Sequence, residues 1–166
     1  MASTAGVASG IVQMLKEDHR KVKELFEEFE SAEGRERGEI AKTAIQELEV
    51  HADLEETLIY PAIRQQIDAD DTMNEALEEH HLVHVLIKEL KKLKPASDTF
   101  QAKFTVLGEL VTHHIQEDEG EILPKAEHHD IDWDVLEATV RKRKAALMAH
   151  ITPKTNKSDS STKSFR

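Results

Sequence analysis

Cysteine is missing from this 166-residue chain, which removes disulfides, thiolate-based zinc or iron–sulfur sites and thiol nucleophiles from consideration. Aromatic residues make up only 4%, too few for a platform on which bases of single-stranded nucleic acid stack. Basic residues are in deficit: 22 Lys and Arg face 33 Asp and Glu, for a net charge of −11. That balance opposes general affinity for nucleic acid or an anionic membrane. No apolar run approaches the roughly 20 residues that span a bilayer. The opening stretch, MASTAGVASG, lacks the basic and apolar regions of a secretory signal. A soluble, cytoplasmic protein with no nucleic-acid or membrane partner is therefore expected. Four prolines and six glycines leave few turn signals. Against these shortages one residue is abundant: there are 10 histidines.

Apolar residues recur at helical spacing, so the chain reads as all-α. The pattern predicts helices over residues 11–31, 36–66, 73–94, 99–128 and 133–149. Their inward stripes carry Leu15, Val22, Phe26 and Phe29, then Ile40, Ala44, Leu48, Leu58 and Ile63, then Phe104, Leu107, Val111 and Ile115, and finally Leu136, Val140 and Leu147. Ser9 and Thr72 are the expected N-caps of the first and third helices. Four long helices with short connections predict an up-down-up-down four-helix bundle with an additional C-terminal helix on its end or side. Residues 1–10 read as a flexible N-terminus, 11–150 as the folded domain, and 151–166, rich in Ser, Thr and Lys, as a disordered polar tail.

A weak internal repeat relates the second and fourth helices. His51-Ala-Asp-Leu-Glu-Glu-Thr-Leu-Ile-Tyr-Pro and His114-Ile-Gln-Glu-Asp-Glu-Gly-Glu-Ile-Leu-Pro share a histidine, acids four and five positions on, and a proline ten on. Pro61 and Pro124 are each expected to kink or end their helix. Residues four apart share a helix face, so two of them can ligate one metal centre. His51 with Glu55, His80 with His84, and His114 with Asp118 have this spacing, and Glu119 follows one position later. His19 adds a single imidazole from the first helix. Each of these residues falls on an apolar stripe, where an unpaired carboxylate would cost several kcal/mol. Taken singly, a core histidine or an i,i+4 His–Glu pair is commonplace; four helices agreeing on one facing is not. His81 and His113 point roughly 100° away from their neighbours. His128, His129 and His150 lie at helix ends, where a cation suits the dipole.

Five imidazoles with two or more carboxylates are too rich in nitrogen for magnesium or calcium and too many for one tetrahedral zinc. Two six-coordinate iron ions bridged by carboxylates, with one position open, fit the set; zinc or manganese are the expected wrong metals. Leu15, Leu48, Leu107 and Val111 are candidates to line the pocket beside them. Tyr60 is read as packing, or as a proton or radical donor.

The chain resembles the hemerythrin family, specifically its HHE cation-binding branch. The resemblance rests on Asp18-His19, on His51-Ala-Asp-Leu-Glu55-Glu56 followed by Tyr60-Pro61, on Glu79-His80-His81-x-x-His84, and on His114-Ile-Gln-Glu-Asp118-Glu119 followed by Leu123-Pro124. It implies an oxo- or hydroxo-bridged di-iron centre in a four-helix bundle. His19, His51, His80, His84 and His114 are then the terminal ligands, and Glu55 with either Asp118 or Glu119 the bridging acids. The oxygen carriers' His-x₄-Asp pattern selects Glu119, and the His-x₃-Glu pattern of the HHE branch selects Asp118. The implied small ligands are O2, peroxide or NO. The implied roles are oxygen or peroxide defence or sensing, including catalase-like peroxide decomposition, with non-catalytic iron storage or iron-responsive binding as the alternative.

Overall fold

The computed structural model describes residues 9–68 and 70–151. The expectations for the N-terminal segment and the polar tail therefore lie almost wholly outside the described residues. Helix α1 spans Ser9–Ser31, and α2 spans Gly34–Leu54. The latter continues through a π-helical turn, Glu55–Ile59, into the short α3, Tyr60–Arg64. Helix α4 spans Asp70–Leu90 and α5 Asp98–Glu117. A second π-helical turn, Asp118–Ile122, leads into α6, Leu123–Glu127, and α7 covers Trp133–Ile151. No strand occurs among the described residues.

Local chemistry explains most boundaries. Gly34 opens α2 with φ +54°, a conformation that glycine adopts without a Cβ penalty. The Ser97 hydroxyl accepts a hydrogen bond from the Phe100 amide and so caps α5. Thr72 is not a cap: α4 begins two residues before it. The two prolines neither end nor break their helices. Each follows a turn widened by one residue, in which the amides of Tyr60 and Leu123 reach back five positions to the carbonyls of Glu55 and Asp118. The wider turn accommodates a proline ring that would clash in a regular α-helix.

Helices α1 and α2 form one antiparallel pair and α4 and α5 the other; α1 packs on α5 and α2 on α4, closing the four-helix bundle. Helix α7 lies against α1, α2 and the first π-turn. The apolar interior divides in two. One cluster, including Leu15, Leu54, Ile59, Tyr60, Ile63, Met73, Leu123 and Val140, fills the end covered by α7. The other, including Val22, Phe29, Leu48, Val83, Phe104, Leu107 and Val111, fills the opposite end. There Gly108 lets α1 approach α5, since a Cβ at that position would sit 3.0 Å from Phe26. Between the two clusters lies a buried layer of ionisable side chains: His19, His51, Glu55, His80, His114 and Asp118.

Candidate metal centre

Each of the four bundle helices contributes a buried imidazole to this layer, and each of the two π-turns opens on a buried acid. Glu55 and Asp118, the first residues of those turns, have no solvent exposure. The Nε2 atoms converge in pairs. His19 and His51 approach to 3.0 Å, and His80 and His114 to 3.1 Å. Glu55 sits between the pairs: its Oε1 lies 3.0 Å from His51 Nε2, and its Oε2 lies 3.0 Å from His80 Nε2 and 3.5 Å from His114 Nε2. Asp118 Oδ2 is 3.7 Å from His19 Nε2. Two metal-capable triads result, His19–His51–Glu55 and Glu55–His80–His114.

The outer faces of the rings are held by a further ring of acids. His19 Nδ1 pairs with Glu119 at 2.8 Å, His80 Nδ1 with Glu56 at 2.9 Å, and His114 Nδ1 with Glu79 at 2.8 Å. An imidazole that donates through Nδ1 to a carboxylate presents a bare lone pair at Nε2. Lone pairs about 3 Å apart, with carboxylate oxygens beside them, repel unless a cation stands among them. Two oxygens in the layer, Glu55 Oε1 and Asp118 Oδ2, have no hydrogen-bond partner. These orphaned atoms, and a donor set of imidazole and carboxylate, fit a metal cation.

Without metal, protons take over part of that role. Burial pulls the His51 imidazole down, but the charge of Glu55, with Asp18 beside it, holds it up to about 10. Burial opposes the His114 proton in the same way, and Glu55 and Glu79 hold that ring up to about 10. His19, desolvated and facing the charged His51, falls to about 4. Burial would raise Glu55 as well, yet the His51 charge and its imidazole partners keep it well below the usual carboxylate range. Asp118 is pushed up to about 7 by burial and by the negative charge of Glu55.

The structure sorts the residues singled out in the sequence. His19, His51, Glu55, His80, His114 and Asp118 come together. Glu119 lies outside the layer as the partner of His19, so of the two acids on this stretch Asp118 is the one at the centre. His84 is not brought in: its side chain is half-exposed, and its Nε2 lies 2.7 Å from Glu56 Oε1. The buried positions of α4 are 73, 76, 79, 80, 83, 87 and 90, so position 84 falls one step beyond the inward stripe and Val83 takes the place expected for it. His81, His128, His129 and His150 are exposed, and the exposed His113 bonds Glu79 and Glu117 rather than the centre.

Tyr60 does more than pack. Its hydroxyl lies 3.1 Å from Glu55 Oε2, 3.1 Å from Asp118 Oδ1 and 3.2 Å from His114 Nε2. Burial and the two carboxylates raise its pKa well above that of a free phenol, so it holds its proton. The orienting roles of Glu56 and Glu79, and the place of Asp18 beside His51, were missed. The signal for them was present, because an acid directly precedes His19 and His80 and directly follows Glu55 and Asp118. An apolar cavity of about 30 Å³ adjoins the imidazoles on the face away from Tyr60, lined by Val22, Leu48, Val83, Val111 and Ile115. Leu48 and Val111 were expected there; Leu15 and Leu107 are not part of it.

The model of the hemerythrin HHE cation binding domain matches residues 10–126. The chain belongs to this family of metal-cation-binding helical domains. A crystal structure of a hemerythrin HHE cation binding domain-containing protein from Mycobacterium kansasii has the same fold. It aligns with a TM-score of 0.69 at 20% identity, over 93% of this chain and 94% of that one. A curated DNA nickase from Nostoc sp. (strain PCC 7120) is 27% identical over 115 residues. That match takes in 66% of this chain and 31% of the relative, so the chain spans under a third of its length.

Proposed function

We propose that the protein is a non-haem di-iron protein that binds O2 or peroxide for oxygen or peroxide defence or sensing. The observation that carries this reading is the pairing of a two-halved donor cage with a cavity of about 30 Å³. One half is His19 with His51, the other His80 with His114; Glu55 reaches both, and Asp118 lies 3.7 Å from His19. The separations of 3.0 Å and 3.1 Å within the pairs let both imidazoles of a pair reach one ion, and with two carboxylates the set exceeds the four donors of a single tetrahedral zinc. Six protein side chains also leave coordination positions open for a small ligand.

An iron pair bound there supplies Lewis acidity and redox capacity to a small oxygen species. The remaining functions belong to the chain. Glu119, Glu56 and Glu79 fix the imidazole tautomers, and Tyr60 keeps a proton between Glu55 and Asp118. The apolar valines and leucine of the cavity keep it dry, and its volume of about 30 Å³ admits only a small molecule. NO is small enough to enter as well. Because Tyr60 does not line the cavity, its proton serves the carboxylates and not an entering molecule.

An iron-responsive binding protein is the alternative, favoured by the buried charges, which tie metal occupancy to folding. Addition of excess hydrogen peroxide to the iron-loaded protein separates the two. Sustained oxygen evolution supports turnover, whereas one spectral change with no further consumption supports binding or sensing. Nicking of DNA, named for the cyanobacterial relative, gains no support from a net charge of −11.

A further inference from the structure

The four imidazoles of the buried layer are not held equally. Three of them have an Nδ1 within 2.9 Å of a carboxylate oxygen. The Nδ1 of His51 is buried without a hydrogen-bond partner. Its nearest acid, Asp18, leaves Oδ2 3.5 Å away. On α7 the Lys144 ammonium donates to the other oxygen of that carboxylate, Asp18 Oδ1, at 2.6 Å. Lys144 is fixed in place by its neighbour, since the Arg143 guanidinium makes paired bonds of 2.8 and 3.0 Å to Asp53 of α2. The corresponding acid of the other half, Glu79, keeps its 2.8 Å bond to His114 beside the exposed His113 and Glu117.

We propose that Lys144 is a positioning residue which draws Asp18 away from His51 and so makes the His19–His51 half the weaker of the two metal positions. This rests on the two-ion reading above. The half next to α7 then fills last and empties first, and the fifth helix sets the difference between the halves. Asp18 has two oxygens and two claimants, and the closer one is a full positive charge with the shorter, charge-assisted bond. With Lys144 absent, Asp18 is free to close on His51 and orient it as the other acids orient their rings. Loss of such an orienting contact commonly costs about 10–100-fold in metal affinity, so restoring one should gain at least the lower end of that range.

The test uses the full chain, stripped by chelator and titrated with Co2+ alone, followed by visible absorption and calorimetry. The wild-type chain is expected to take two Co2+ in two steps. In Lys144→Met, which keeps the aliphatic stem, the weaker step should tighten about tenfold while the stronger step stays. Lys144→Arg should keep the wild-type separation. Asp18→Ala should move the same weaker step in the opposite direction. A Lys144→Met step that is unchanged or weaker overturns the inference, as does a wild-type chain whose two ions bind equally. Uptake of fewer than two Co2+ by the wild-type chain overturns the two-ion reading itself.

Discussion

Asp118→Asn should have opposite effects on the metal-free and the metal-loaded protein. Asp118 is fully buried beside the charge of Glu55 and is raised from 3.8 to about 7. For an acid whose folded pKa lies above its unfolded value, the native state holds the proton longer. Stability therefore falls as pH rises from about 4 to about 7 and stays low beyond it. At 1.36 kcal/mol per pKa unit, that rise corresponds to about 4 kcal/mol against the ionised form, as an upper estimate. Asparagine keeps the shape and removes the charge, so the metal-free variant should gain up to about this much at pH 8 and almost nothing at pH 4. With metal present the sign reverses, because a buried anionic donor beside His19 is gone. The variant should then retain at most one ion and lose most of the thermal stabilisation that metal gives. Thermal unfolding of both forms from pH 4 to 9, with metal analysis, reads the effect. Equal destabilisation of both forms at pH 8 would refute the reasoning and make Asp118 an ordinary structural acid.

Three further outcomes follow from the same geometry. His80→Ala should abolish most metal binding, while His84→Ala, acting through Glu56, should weaken it no more than about 10–100-fold; equal loss by metal analysis would return His84 to the centre. Tyr60→Phe should keep the metal content but lower unfolding stability by about 1.5–3 kcal/mol, the range for hydrogen bonds to charged groups; loss of an ion on dialysis would make the phenol a ligand. Val83→Phe should fill the cavity, leaving metal content intact and slowing the reaction with peroxide or O2. An unchanged rate in stopped-flow mixing would show that small molecules enter elsewhere.

The bundle was legible because 3.6-residue periodicity is strong over long helices, and the buried Leu15, Val22, Phe104, Leu107 and Val111 lie where it put them. The same pattern located His19, His51, Glu55, His80, His114 and Asp118, since an ionisable residue on an apolar stripe has few other reasons to be there. It failed for His84, because i,i+3 and i,i+4 neighbours both lie on one broad face and only packing decides between positions 83 and 84. The π-turns were invisible for a related reason: one extra residue per turn changes register without changing composition, and a proline reads as a helix end. That register shift opens on Glu55 and Asp118, while Glu56 and Glu119 partner the outer faces of His80 and His19. The acids around the centre could be read only in retrospect, from their adjacency to His19, His80, Glu55 and Asp118 in sequence.

The central claim is a pair of iron ions held by four imidazoles, the shared Glu55 and Asp118. Elemental analysis of the full chain after expression in iron-rich medium, with an optical spectrum of the oxidised protein, tests it most directly. The account predicts about two irons per chain, because the donors fall into two separate triads that share Glu55, and near-ultraviolet bands from a bridged pair. One zinc per chain with no iron would contradict it.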